Sequence, residues 1–247
     1  MNLMDFKNDT ITENLALLIN KIYSKKISRN YVDDPQKINA KFGLDQGVNH
    51  EIIQACYWAL QDTELAISEF FEFGLQGPTR INGNFGEKYL RLFGLLNAVN
   101  IQKGCAIQLY EIFKIPNKKM VKSKFSELEI IKLRNKIGSH NLDYKLDGIK
   151  DYFRISRPTI ESGSNEIHVL CKDKLTKYDI RVLLKEFKHE LNSELLHVCG
   201  STVNKLFAED SKDRKELIND VELINERMKG NIVWNFLDGD EGVIKFV

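Results

Sequence analysis

Between Arg134 and His140 the chain places a permanent guanidinium, a carboxamide (Asn135) and an imidazole. These are the groups needed to grip a phosphodiester and move a proton on it near neutral pH. Arg134, Asn135 and His140 are therefore the candidate catalytic set. Lys132, Lys136 and Ser139 are candidate substrate-binding groups beside it. The preceding stretch carries Phe125, Leu128, Ile131 and Leu133 at roughly helical spacing. That pattern anchors the charged residues to a packed helix.

Helical geometry restricts how the set can work. On a continuous helix six positions advance by about 600°, so Arg134 and His140 stand about 120° apart in projection. Two arrangements would bring them together. Gly138 could take the left-handed conformation that ends a helix and redirects the chain, or a second subunit could contribute to the same cleft. A wholly structural role is also open, because cations interact favourably with a helix C-terminus and its free carbonyls.

Charge is unevenly distributed around this segment. The chain of 247 residues has a formal net charge of only +1. Residues 114–136, however, hold eight Lys or Arg against Glu127 and Glu129, whereas residues 51–79 hold five acids and no Lys or Arg. A lysine-rich stretch can be a solvated connector; beside a phosphate-handling site it also raises the encounter rate with a polyanion.

Most of the chain reads as helix. Thr10-Ile-Thr-Glu13 fits a capping box and opens a first helix through Leu15, Leu18, Ile19 and Ile22. Asp33-Asp34-Pro35 and residues 43–47 mark a loop. A second helix is expected over about 51–73, and a third from the capping box Asn84-Phe-Gly-Glu87 to about Phe113. The lysine connector and the motif helix, from about Ser123, come next. Beyond His140, residues 152–160 and 166–171 are β-prone runs about Ser162-Gly-Ser-Asn165, read as a hairpin. Helices over about 176–207 and 210–228 follow, and then a second hairpin from 232–237 and 243–247. The expected fold is mainly α, a helical bundle with a small β-hairpin element and further C-terminal helices. Residues 1–145 form the expected motif-bearing domain; residues 146–247 form an extension, separate or packed with it as one unit.

Other chemistries fit poorly. His189-Glu190 with His197 lacks the His-Glu-x-x-His spacing that puts two metal ligands on one helix face. Residues 77–88 are glycine-rich without phosphate-loop spacing, although Arg80 could reach a phosphate. Asp238-Gly-Asp-Glu241 lacks calcium-loop spacing and suits a turn. Cys56, Cys105, Cys171 and Cys199 lie far apart among apolar neighbours, as small hydrophobes in a reducing compartment. The first nine residues do not read as a signal peptide, and no apolar run is long enough to span a bilayer. A cytoplasmic protein without a membrane partner is the expectation.

Arg134-Asn135, four residues and His140, late in a helical region, resemble the Arg-x4-6-His signature of HEPN-domain proteins. Five residues separate the Arg from the His, and Asn135 matches the polar residue that often follows the Arg. The resemblance covers about the first 145 residues. It departs from the His-x-Tyr form of the subgroup paired with nucleotidyltransferase antitoxins, since the nearest tyrosine is Tyr144. The resemblance implies a metal-independent endoribonuclease of a defence or toxin-antitoxin system, without a cofactor, cleaving RNA by 2′-hydroxyl attack. It also implies a homodimer with a composite active site and an antitoxin or effector partner. Divergent members of that family imply the alternative of a non-catalytic helical module for RNA binding, protein interaction or dimerisation.

Overall fold

The computed structural model describes residues 10–27, 35–45, 49–78, 84–139, 144–146, 149–235 and 241–244. The fold is mainly α. The helices are α1 (Ile11–Lys26), α2 (Pro35–Phe42), α3 (Glu51–Phe73), α4 (Phe85–Ile112), α5 (Lys118–Glu127), α6 (Glu129–Arg134), α7 (Arg157–Glu161), α8 (Ile180–Leu206) and α9 (Lys212–Met228). A π-helical segment, Asn135–Ser139, continues α6. The strands are β1 (Tyr144–Leu146), β2 (Ile149–Asp151), β3 (Arg154–Ile155), β4 (Glu166–Cys171), β5 (Lys174–Asp179), β6 (Ile232–Asn235) and β7 (Glu241–Ile244). Two compact units share them: Met1–Gln61, Ala106–Lys118 and Asn192–Val247 in one, Asp62–Cys105 and Lys119–Leu191 in the other. Each unit draws on residues from both sides of position 145.

In the first unit α1 begins as its capping box predicts, with Thr10 Oγ1 accepting from the Glu13 amide at 3.2 Å. Its apolar stripe, Leu15, Leu18, Ile19 and Ile22, is buried. The charged helix α9 fully buries Leu217 but attaches to α1 chiefly through charge. Lys21 contacts Glu216 at 2.8 Å and Asp220 at 2.7 Å, while Lys25 contacts Asp213 and Glu216, each at 2.8 Å. Two lysines beside it hold the Glu216 carboxyl at about 2. The C-terminal hairpin is present, with Val233 opposite Val243; residues 236–240 and 245–247 lie outside the described residues.

The second unit carries the motif. Phe125 of α5 and Phe187 of α8 meet in its core, ring centroids 6.1 Å apart. Beside them lies a buried polar group. Glu64 of α3 accepts from Gln102 Nε2 of α4 at 2.9 Å and from the Lys188 ammonium of α8. Burial pulls the Lys188 ammonium below its ordinary range even with Glu64 as partner. Strands β3, β4 and β5 form an antiparallel sheet in that order, Ile155 opposite Val169 and Ile167 opposite Tyr178.

Three expectations from sequence need correction. Residues 35–42, taken with the loop, form α2, because a proline suits the first helical position, where its missing N–H costs nothing. The lysine connector is helical from Lys118, its turn of helix closed over buried Val121 and Phe125. The hairpin partner of β4 is also β5, through a turn at Lys172 (φ 51°), rather than residues 152–160 alone. Of that run only Arg154–Ile155 is strand; Pro158 sits in the first turn of α7.

Candidate functional site

Helix α6 is six residues long and follows the cap residue Leu128, whose extended backbone (ψ 129°) separates it from α5. Ile130, Ile131 and Leu133 are all buried. This apolar grip on three of six residues fixes the turn from which Arg134 emerges, half-buried. At Asn135 the amide reaches both the Ile131 and Lys132 carbonyls, and the helix widens into the π segment. Single π turns are rare and concentrate where an extra residue re-aims side chains.

This widening replaces the expected break. Gly138 is the fourth residue of the π segment and does not take a positive φ. Among the described residues a Cβ added there would meet only Arg134 Cγ, at 3.8 Å. The chain thus redirects its faces by broadening the turn, since hydrogen bonds to the fifth residue set a smaller rotation per residue than the α form. His140 and residues 141–143 lie outside the described residues, as does the side chain of Ser139, which ends the π segment.

The described motif side chains have distinct partners. Arg134 Nη1 donates to Asn135 Oδ1 at 3.2 Å, so the carboxamide orients the guanidinium. Lys132 is tied to Glu127 at 3.1 Å and Glu129 at 3.2 Å, hydrogen bonds that raise its pKa above the ordinary 10.5. Lys136 donates from Nζ to Tyr178 Oη at 3.2 Å. Its ammonium also lies 5.7 Å from the Tyr178 ring centre and 5.8 Å from that of Phe153.

Ion pairs absorb much of the basic run. Lys114 contacts Asp45 at 2.7 Å, Lys118 contacts Glu111 at 3.0 Å, and Lys124 contacts Glu190 at 3.2 Å. Lys119, Lys122 and Arg134 have no carboxylate partner among the described residues. To these the structure adds Lys103 of α4, which sequence reading missed. Burial, then the charges of Arg134 and Lys122, hold the Lys103 ammonium below its ordinary 10.5. Lys122 of α5 and Arg134 of α6 thus both repel Lys103 of α4, without a neutralising acid among the described residues. Such a cluster favours an incoming anion. Nothing local in the sequence marks Lys103, which lies 31 positions before Arg134.

The other candidates stand apart. His189 and His197 are both exposed on α8, as ordinary surface histidines. Cys56, Cys105 and Cys199 are buried, and Cys171 is partly exposed. Arg80 and Asp238–Asp240 lie outside the described residues. No helix among the described residues is long and apolar enough to cross a membrane. Comparison of the chain with family models, with curated proteins and with solved structures gives no match.

Proposed function

We propose that the Arg134 site binds the phosphodiester backbone of RNA and, with His140, cleaves it. The observation that carries this reading is the grouping of Lys122 and Arg134 about the half-buried Lys103, whose charge both oppose, with no carboxylate partner for any of the three among the described residues. A phosphate offers each of them the counter-charge that the protein does not. The Asn135 hydrogen bond pre-orients the guanidinium toward non-bridging oxygens, where charge develops in the transition state. In the reaction the 2′-hydroxyl oxygen bonds to the adjacent phosphorus as the bond to the 5′-oxygen breaks. His140 handles the proton moving from attacking to leaving oxygen. The products are a 2′,3′-cyclic phosphate and a 5′-hydroxyl.

Two copies of the motif facing one another would meet the geometric demand on Arg134 and His140, as the HEPN resemblance implies. Lys132 and Lys136 take supporting rather than direct parts in this reading, because each already has partners.

The test is incubation of end-labelled RNA with the full chain, with and without a chelator, beside Arg134→Ala and His140→Ala. Chelator-resistant cleavage lost in both variants is the expected result. Binding that falls in Arg134→Ala, with no cleavage by any form, replaces the enzyme with a non-catalytic RNA-binding module. Variants that bind and cleave as the parent does overturn both assignments.

A further inference from the structure

A π turn is less favourable than the α-helix it interrupts, so something outside it must hold it open. Here two of its five residues are fixed from outside. Ile137 is buried, at 5% exposure, and the Lys136 ammonium is held by Tyr178 and Phe153. Tyr178 lies on β5, itself 7% exposed, and Phe153 immediately precedes β3. The two rings reach Lys136 from the strands that flank β4. A cation hydrogen-bonded to the Tyr178 hydroxyl at that ring's edge, and near a second ring in Phe153, is a strong anchor for an otherwise mobile side chain.

The geometry points to Tyr178, with Phe153, as a positioning residue that clamps Lys136 and so keeps Asn135–Ser139 in the π form that presents Arg134. Arg134 and Asn135 adjoin the clamped lysine directly, and their mutual hydrogen bond spans the junction of α6 and the π segment. If Lys136 is released, the turn can tighten to the α form. Every residue after Asn135 then rotates relative to Arg134, and the sequence between Arg134 and His140 no longer leaves the helix on the same face. The sheet β3–β4–β5 thereby sets the shape of the site without touching the substrate. The effect on RNA rests on the function proposed above; the effect on the turn does not.

The experiment uses the full chain, with Tyr178→Leu, Tyr178→Phe, Lys136→Met and the Tyr178→Leu/Lys136→Met pair. Amide hydrogen exchange over 135–139 is read beside the affinity for a fluorescein-labelled RNA oligonucleotide. Tyr178→Leu and Lys136→Met should each speed exchange in 135–139 about tenfold, the scale of a cation–ring contact plus a hydrogen bond. The double variant should add little to either, because both changes remove one interaction. Tyr178→Phe keeps both rings but removes the hydroxyl, so it should restore only part of the protection. A spectroscopic signature accompanies this: ring-current-shifted Lys136 methylene signals in the parent and Tyr178→Phe, absent in Tyr178→Leu. Amides of β4 should remain protected throughout, which separates release of the clamp from loss of the sheet.

Unchanged exchange over 135–139 in folded Lys136→Met overturns the clamp even if Tyr178→Leu fails to fold. Faster exchange, with RNA affinity insensitive to Arg134→Ala, upholds the clamp and overturns the proposed function. Unchanged exchange with RNA affinity lost in Arg134→Ala does the reverse.

Discussion

Replacing Lys103 with methionine separates a binding role from a structural one, because the two move stability and affinity in opposite directions. Burial, then the neighbouring Arg134 and Lys122, disfavour the charged form of the ammonium. A basic group whose folded pKa is lowered opposes folding while charged. This penalty is present below the lowered folded value and fades as pH rises through the range up to 10.5. Lys103→Met keeps the apolar stem and removes the charge, so stability at pH 7 should rise. RNA binding should weaken at the same time. If Lys103, Lys122 and Arg134 each neutralise one phosphate of a single strand, the slope of log affinity against log salt is about −2.1 in the parent and about −1.4 in the variant. Between about 50 mM and 200 mM salt the parent then loses about 18-fold in affinity and the variant about 7-fold. Urea unfolding and fluorescence anisotropy over that salt series measure both. A variant that is more stable yet binds with an unchanged slope would refute the assignment of Lys103 to an anion site.

Three further outcomes follow from local geometry. Gly138→Ala should stabilise the protein by about 0.5–1 kcal/mol in urea unfolding, since the backbone is not left-handed and the new methyl meets only Arg134 Cγ at 3.8 Å. Gly74→Ala, at φ +61° with a Cβ 2.6 Å from Asn165 Oδ1, should destabilise it; the opposite pair of signs would restore Gly138 as a left-handed break. Glu216→Gln should cost about 1 kcal/mol at pH 7. A carboxyl at about 2 rather than 4.5 would be worth about 3 kcal/mol if shielded, but the side chain is 42% exposed and solvent screening reduces it. That contribution is complete above pH 4.5 and is lost as pH falls toward 2, so the parent and variant unfolding curves should converge in acid.

Periodicity and capping made the long helices legible. Thr10 and Asn84 accept from the amides of Glu13 and Glu87 as their spacing predicts, and the apolar stripe of α1 is buried. Residues whose roles depend on distant partners were not legible. The β4–β5 turn uses Lys172 at φ 51° rather than a glycine, so no turn signal marks it, and residues 176–179 of β5 read as the start of the following helix. At the site, Arg134 and Asn135 could be read from their types and spacing. Lys103 could not, since its relevance comes from the charges of Lys122 and Arg134, which belong to later helices. The roles of Lys132 and Lys136 depend on which side chain each meets. Glu127 and Glu129 are sequence neighbours that could have suggested the first; Tyr178 is 42 positions away.

The Glu64, Gln102 and Lys188 group has a consequence for the alignment of α3, α4 and α8. Apolar stripes alone tolerate a slide of one turn, about 5.4 Å, because a leucine meets a leucine again. Here a slide of α3 or α8 would strand the buried carboxylate and ammonium without each other, among the costliest changes a core can suffer, and a slide of α4 would break the Gln102 hydrogen bond to the same carboxylate. The three residues therefore act as an index mark, admitting one register of the three helices and rejecting its neighbours. Since α4 bears Lys103, the same mark fixes how far along the bundle that cation stands.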